Sequence, residues 1–223
     1  MIPDLGKSRA VLLDVEGTTT PIDFVKGTLF EYARNNIEKF LETNSENIIV
    51  KKYVEEICKI AGYNDVKGSF LMLMDRDSKA EPLKKLQGLI WKSGYEKEEL
   101  KGNVYEDVPN AMKRWKIAGR SIFIYSSGSV LSQKMLFSST QFGDLTTYID
   151  GYFDTTVGGK KESESYEEIS GRIGLDGKNI AFFTDSNEEI SASIEAGFNS
   201  FLVCREGKCG GTDFISNFNG FYL

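Results

Sequence analysis

Asp14 and Glu16 stand two residues apart just after the apolar run Ala10-Val11-Leu12-Leu13, and Gly17 and three hydroxyls, Thr18, Thr19 and Thr20, follow them. The run is too short for a helix and reads as a strand buried on both faces. Asp14 then sits at the strand's carboxyl end, the edge where open parallel α/β sheets bind their ligands. A carboxylate there could hold a metal, act as a nucleophile, or do both. Gly17 lets the chain turn away and lets bare backbone approach an anion. Asp, Gly and Thr also favour turns, so a simple post-strand turn is the alternative reading of this stretch.

Two further strands end in the same way. Ser121-Ile122-Phe123-Ile124-Tyr125 runs into Ser126-Ser127-Gly128-Ser129, and Asn179 to Thr184 runs into Asp185. Between them lies Gly158-Gly159-Lys160-Lys161-Glu162-Ser163. Parallel, adjacent strands would bring these groups to one crevice. Carboxylates for a hard cation, small hydroxyls with free backbone N–H groups, and a lysine make a phosphate-handling set. Each element has a plain alternative: Ser126-Ser127-Gly128 as a helix cap, Lys160-Lys161 as a solvated pair, Asp185-Ser186-Asn187 as a turn and cap. Their order at three strand ends favours the chemical reading.

The chain has 223 residues, 40% hydrophobic and 27% charged, an ordinary globular balance that suits one sizeable domain or a domain with an insertion. A net charge of −6 with no long basic run argues against a nucleic-acid partner. It does not exclude an anionic substrate, because a local metal inverts the field at a site. No apolar run approaches the roughly 20 residues of a membrane span, and Met1 to Ala10 lack the apolar core of a signal peptide. The cytosol is the expected location. The three cysteines, Cys58, Cys204 and Cys209, are an odd, sparse set that argues against a disulfide framework and fits a reducing compartment. The C-x4-C pair of Cys204 and Cys209 makes at most half of a zinc site. The absence of histidine removes Ser-His-Asp and Cys-His catalysis and any His-ligated metal. Chemistry must run on carboxylates, lysines, hydroxyls and an oxygen-loving cation such as Mg²⁺.

The elements that must position these groups follow from periodicity. After Thr20-Pro21, residues Ile22, Val25, Leu29, Ala33, Ile37 and Phe40 recur at helical steps, with Thr20 as candidate N-cap. Further helices are expected over about 46–61 and 82–92, and no strand from Thr20 to about Lys101. From Val104 the pattern alternates: a helix from Asp107 to Ala118, the strand at Ser121–Tyr125, a helix from about Val130, another over Tyr166–Ile173, the strand ending at Thr184, a helix near Glu188–Ala196, and a last strand around Phe201-Leu202-Val203. Alternating elements imply a parallel sheet with right-handed crossovers. The helical block is then an insertion after the first strand.

The order Asp14, Ser126, Lys160 or Lys161, and Asp185 resembles the four motifs of the haloacid dehalogenase (HAD) superfamily of phosphotransferases. Within it, Asp14-x-Glu16-Gly17-Thr18-Thr19, Ile124-Tyr125-Ser126-Ser127-Gly128-Ser129-Val130 with Gln133-Lys134, and Gly159-Lys160-Lys161-Glu162-Ser163-Glu164-Ser165-Tyr166 resemble the enolase-phosphatase E1 (acireductone synthase) family. So do Leu86-Gln87-Gly88-Leu89-Ile90-Trp91, Gly94-Tyr95, Val104-Tyr105 and Asp107-Val108. Glu96-Lys97-Glu98-Glu99-Leu100 lacks an expected glycine, and the tail near Arg205-Glu206-Gly207-Lys208 is only loosely similar.

The resemblance implies an α/β fold, a HAD-like Rossmannoid parallel sheet with helices on both faces, and an all-helical cap of the C1 type. Residues 1–20 and 102–223 would form the core and 21–101 the cap, which would close over it. It further implies a Mg²⁺-dependent enzyme of methionine salvage, with one ion per subunit, that enolises 2,3-diketo-5-methylthiopentyl-1-phosphate and then removes its phosphate to give the acireductone. In that scheme Asp14 attacks phosphorus and Glu16 transfers protons. Ser126, the Ser127 backbone and Lys160, chosen over Lys161 by the spacing to Glu162-Ser163, hold the phosphoryl group. Asp14, the Glu16 carbonyl and Asp185 hold the metal. The partner is the small phosphorylated diketone, with neither nucleic acid nor membrane, and a monomer is expected; a eukaryotic source would add the nucleus to the cytoplasm as a location. The rivals are another HAD phosphatase acting on a different phosphorylated metabolite, and a catalytically silent binding protein on this fold.

Overall fold

Apolar strands alternating with helices build an α/β unit from Met1–Ile22 and Gly102–Leu223, and a helical unit, Asp23–Lys101, is inserted in the chain between its two parts. The computed structural model describes residues 5–6, 8–205, 207 and 214–219.

The first strand, β1 (Ala10–Leu13), is followed by the helical unit. There a π-helical segment, Phe24–Leu29, leads into α1 (Phe30–Thr43), followed by α2 (Ile48–Ala61), α3 (Val66–Asp75) and α4 (Glu81–Glu96). The Asn47 side chain accepts from the N–H groups of Ile49 and Val50 and so starts α2, and Asp65 accepts from Gly68 N–H and starts α3. Ala33, Ile37, Ile57, Phe70, Leu86 and Ile90 are buried, and the Trp91 indole donates to the Leu29 carbonyl at 2.7 Å. Two expectations need correction. Helix α3 was not anticipated, because Phe70-Leu71-Met72-Leu73-Met74 is an unbroken apolar run without a helical stripe. Thr20 is not an N-cap: an N-cap carbonyl accepts the first helical bond, whereas that of Thr20 accepts from Gly17 N–H at 2.8 Å.

The chain then continues through α5 (Asp107–Ile117), β2 (Ser121–Tyr125), α6 (Val130–Ser138), β3 (Gly151–Phe153), α7 (Ser163–Ile173), β4 (Ile180–Thr184), α8 (Asn187–Glu195) and β5 (Asn199–Leu202). The five strands form one parallel sheet in the order β3-β2-β1-β4-β5. Strand β1 is central and wholly buried. Successive strand residues face opposite sides of a sheet, and β4 shows both being covered. Phe182 meets Tyr166 of α7 at 5.2 Å between ring centroids, while Phe183 stacks on Trp115 of α5 at 5.8 Å. This is the expected doubly covered α/β sheet. The short strand β3 was not foreseen.

Among the described residues no helix is long and apolar enough to cross a membrane. Cys58 is a free thiol, whereas Cys204 is disulfide-bonded. A low cysteine count argues against a network of bridges and says nothing against a single one.

Candidate active site

Register decides which groups meet. Leu13 pairs with Ile124 of β2 and with Phe183 of β4. Asp14 is therefore level with Tyr125 and Thr184, and Ser126 and Asp185 lie one residue beyond, on its two sides. Three polar strand ends thus share the carboxyl edge of three adjacent strands.

Asp14 is 4% exposed. Its Oδ1 accepts from Val15 N–H at 2.7 Å and from Lys160 Nζ at 2.5 Å, and Thr184 Oγ1 lies 3.4 Å from Oδ2. The turn after it winds tightly around the Val15 carbonyl, which accepts from the N–H groups of Thr18, Thr19 and Thr20. Glu16 is half-buried on this turn, its backbone bridged to Thr20. Gly17 has φ +73°, and a Cβ built on it would stand 2.1 Å from Asp185 Oδ2. Glycine is required there twice over, for the left-handed backbone and for the close approach of a carboxylate.

Lys160 arrives on a loop that is fastened residue by residue. The Tyr166 hydroxyl donates to the Lys160 carbonyl at 2.6 Å, Ser165 Oγ to the Gly159 carbonyl at 2.7 Å, and the Tyr125 hydroxyl to the Gly158 carbonyl at 3.0 Å. Gly159 N–H donates to Glu162. The Glu-Ser-x-Ser-Tyr motif therefore fixes the lysine loop. Lys160 Nζ bridges Asp14 and Glu189, the latter at 2.9 Å. Burial alone would lower its pKa, but the charges of Asp14 and Glu189 outweigh burial and raise it. Lys161 pairs instead with Glu188, both side chains exposed.

Ser126 is buried at the end of β2, where its Oγ accepts from Gly128 N–H at 3.1 Å and keeps its own O–H as a donor. Ser127 is exposed at the crest of this turn. Ser129 caps α6 by accepting from Ser132 N–H, and Gln133 Nε2 donates to the Gly128 and Phe153 carbonyls, both at 2.8 Å. Sequence reasoning missed Glu189. It is 8% exposed and accepts from Thr184 Oγ1 at 2.6 Å as well as from Lys160. Burial and the nearby Asp14 raise its pKa, with Lys160 acting against them. A signal was present: Asp185 and Glu189 are four apart, one helical turn, at the start of a helix.

Asp185 is pushed up to about 6, first by burial and then by the Asp14 charge. Asp14, Asp185 and Glu189 thus crowd negative charge around Lys160, which a divalent cation would relieve. Among the described residues no three His, Cys, Asp or Glu side chains form a ready-made metal cage. Two carboxylates and a main-chain carbonyl, completed by water and substrate oxygens, fit Mg²⁺, which is bound through few protein ligands.

The chain is similar to known proteins over most of its length. A haloacid dehalogenase-like hydrolase profile matches residues 8–197. Enolase-phosphatase E1 of Sulfurihydrogenibium sp. is 44% identical over 94% of this chain and 92% of the relative, and that of Drosophila melanogaster is 42% identical over 90% and 85%. The crystal structure of the UTR4 protein of Saccharomyces cerevisiae superposes with a TM-score of 0.79 at 33% identity, covering 93% of this chain and 96% of that one. CbbY from Rhodobacter sphaeroides, solved in complex with phosphate, shares the fold at 13% identity, with a TM-score of 0.58 over 95% of each chain. Profile, identity and coverage agree, and the chain belongs to the haloacid dehalogenase-like hydrolases and, among them, to the enolase-phosphatase E1 family.

Proposed function

We propose that this phosphatase acts on 2,3-diketo-5-methylthiopentyl-1-phosphate, the methionine-salvage substrate, enolising it and releasing phosphate through an aspartyl-phosphate on Asp14. The observation that carries the reading is the buried Asp14 carboxylate, held by Lys160 at 2.5 Å at the carboxyl edge of the central strand, in a chain up to 44% identical to enolase-phosphatases E1.

Each residue has a task that its position suits. Asp14 Oδ2 is the oxygen opposite the Lys160 pair and would attack phosphorus. Glu16, on the turn beyond Asp14, would protonate the leaving oxygen and later take a proton from the hydrolytic water. Ser126 Oγ, the Ser127 N–H and Lys160 Nζ would hold the phosphoryl oxygens. Asp14, the Glu16 carbonyl and Asp185 would hold Mg²⁺. That ion would offset the repulsion between carboxylate and phosphate and polarise a substrate carbonyl. Glu189 keeps Lys160 aimed at Asp14 and away from solvent. The helical unit Asp23–Lys101 is where we place substrate selection, since one core fold serves many substrates.

The test is an assay on the diketo phosphate with Mg²⁺ present, following acireductone and free phosphate together. Both are expected to appear at equal rates. Phosphate release from other metabolites, with none from the diketone, would move the chain to another HAD substrate. Release from none would leave a binding protein.

A further inference from the structure

The turn that carries Glu16 is gripped from outside. The N–H groups of Thr18, Thr19 and Thr20 point inward at the Val15 carbonyl, that of Gly17 donates to the Thr20 carbonyl, and the Thr18 and Thr19 carbonyls accept bonds from elsewhere. Thr19 O accepts from Tyr105 N–H at 3.0 Å. Thr18 O accepts twice from one guanidinium, Arg205 Nε at 2.9 Å and Nη2 at 2.7 Å. Arg205 lies 187 residues away in sequence, in the part of the chain where the family resemblance is loose.

Arg205 is itself held on every side. Its Nη1 lies 2.9 and 2.8 Å from the two carboxylate oxygens of Asp107, at the start of α5. The cation is sandwiched between the rings of Tyr105 and Phe218, 4.3 and 4.6 Å from their centroids. Asp107 also accepts from Phe218 N–H, and the Phe218 carbonyl accepts from Arg114 at 2.6 Å. The Arg205 and Asp107 side chains are only 6% and 7% exposed. A buried ion pair is by itself a poor source of stability. This one, however, spends two donors of a rigid fork on one turn carbonyl, which fixes both distance and direction.

We propose that Arg205 is a positioning residue for proton transfer: by gripping the Thr18 carbonyl it sets the turn that carries Glu16 beside Asp14. The inference rests on Glu16 as the group that protonates the leaving oxygen. Its signature is therefore a dependence on the leaving group. Cleavage of the alkyl phosphate needs that proton. Release of p-nitrophenolate from p-nitrophenyl phosphate does not, since the phenolate departs as a stable anion.

The experiment compares Arg205→Met, Arg205→Lys and Glu16→Gln with the parent enzyme, with Mg²⁺ present. Phosphate release from the diketo phosphate and first-turnover release of p-nitrophenolate are measured, and thermal melting checks the fold. In Arg205→Met the first rate is expected to fall about 10- to 100-fold, the scale of an ångström-sized misplacement, while the second stays close to the parent value. Arg205→Lys keeps the charge opposite Asp107 but cannot also donate two bonds to Thr18 O, so the same split is expected. It carries the test if Arg205→Met does not fold. Full rescue by lysine, or equal loss of both rates in a folded variant, would overturn the proposal and leave a structural ion pair. Glu16→Gln must show the split most strongly. If it does and the arginine variants do not, Arg205 alone is misassigned; if it does not, the role of Glu16 falls and the proposal with it.

Discussion

Lys160 and Arg205 are both buried cations of the α/β unit, with side chains 11% and 6% exposed, and both face carboxylates. Around Arg205 the charges balance among the described residues: one guanidinium pairs with one carboxylate, Asp107, and also faces the Thr18 and Ser216 carbonyls and two aromatic rings. Around Lys160 they do not. Asp14 and Glu189 both pair with it, and Asp185 is pushed up to about 6, first by burial and then by the Asp14 charge. The first cluster holds backbone in place. The second keeps an excess of negative charge where a phosphate ester, itself negative, would have to enter. Perturbed carboxylates at a strand edge mark a functional site more surely than a count of ion pairs, and here the imbalance distinguishes site from scaffold.

The largest effect is expected at the nucleophile. Asp14→Asn keeps the side chain's shape and removes its charge, so the amide cannot form an aspartyl-phosphate. Phosphate release should fall by about four to six orders of magnitude, the scale seen when a covalent nucleophile is lost. Enolisation needs a polarised carbonyl and a base, and it survives in part if Asp14 is not that base. Incubation with the diketo phosphate should then accumulate an enol phosphate, read by its ultraviolet absorbance, while free phosphate stays low. Normal phosphate release from this variant would remove the covalent mechanism.

The balanced cluster should answer in stability. Asp107→Ala leaves the Arg205 guanidinium buried without its counter-ion, at a cost of about 3–5 kcal/mol. In a chain of this length that lowers the melting temperature by roughly 10 °C. A shift of a degree or two would mean that water reaches Arg205 and that the cluster is looser than its distances state.

These two clusters were unequally legible. Strands β1, β2 and β4 could be read because each is a short apolar run that stops at a polar residue, and that stop is also where we place the chemistry. Asp14, Ser126 and Asp185 follow from it; Lys160 lies on a loop and follows from the spacing of the family motif around it. Strand β3 is three residues, Gly151-Tyr152-Phe153, too short for any pattern. Glu189 was hidden inside an ordinary helix start, Asn187-Glu188-Glu189, where acidic residues are expected for the helix dipole alone. The Arg205–Asp107 pair spans 98 residues. Nothing local marks Arg205, and Asp107 reads simply as a residue that opens a helix. Contacts made by tertiary folding leave no spacing to find.

A smaller effect, with a sign of its own, is expected from Asp185→Asn in the metal-free chain. The folded state holds the Asp185 proton to about pH 6 against 3.8 for the free side chain. Between those values the folded state binds more protons than the unfolded one, so stability falls as pH rises. The displacement corresponds to about 3 kcal/mol in full, and to about 1–2 kcal/mol once screening at this half-buried carboxyl is allowed for. Asparagine removes that cost. The variant should therefore melt above the parent at pH 7–8, and the gap should close near pH 4. Adding Mg²⁺ should raise the melting temperature of the parent and not of the variant. A variant that still responds to Mg²⁺ would show that the ion is held elsewhere.

The smallest effect should come from the residue next to the most sensitive lysine. Lys161 follows Lys160 directly, and both were candidates for the phosphate contact on sequence alone. The chain separates them by burial: the Lys160 side chain is 11% exposed and bridges Asp14 and Glu189, whereas that of Lys161 is 63% exposed and pairs with Glu188, itself 66% exposed. An exposed pair gains little Coulomb energy in water, and ordering two long side chains offsets part of that gain. Lys161→Ala should change stability by less than about 0.5 kcal/mol and leave phosphate release at its parent rate. Lys160→Ala should abolish release, because it strips Asp14 of its counter-charge and the phosphoryl group of a donor. The two single variants, assayed side by side over a range of ionic strength, check this contrast. A salt-sensitive loss of substrate affinity in Lys161→Ala would mean that the exposed lysine steers the phosphate inward, so that the excess of negative charge at the strand edge is answered from the surface as well as by Lys160.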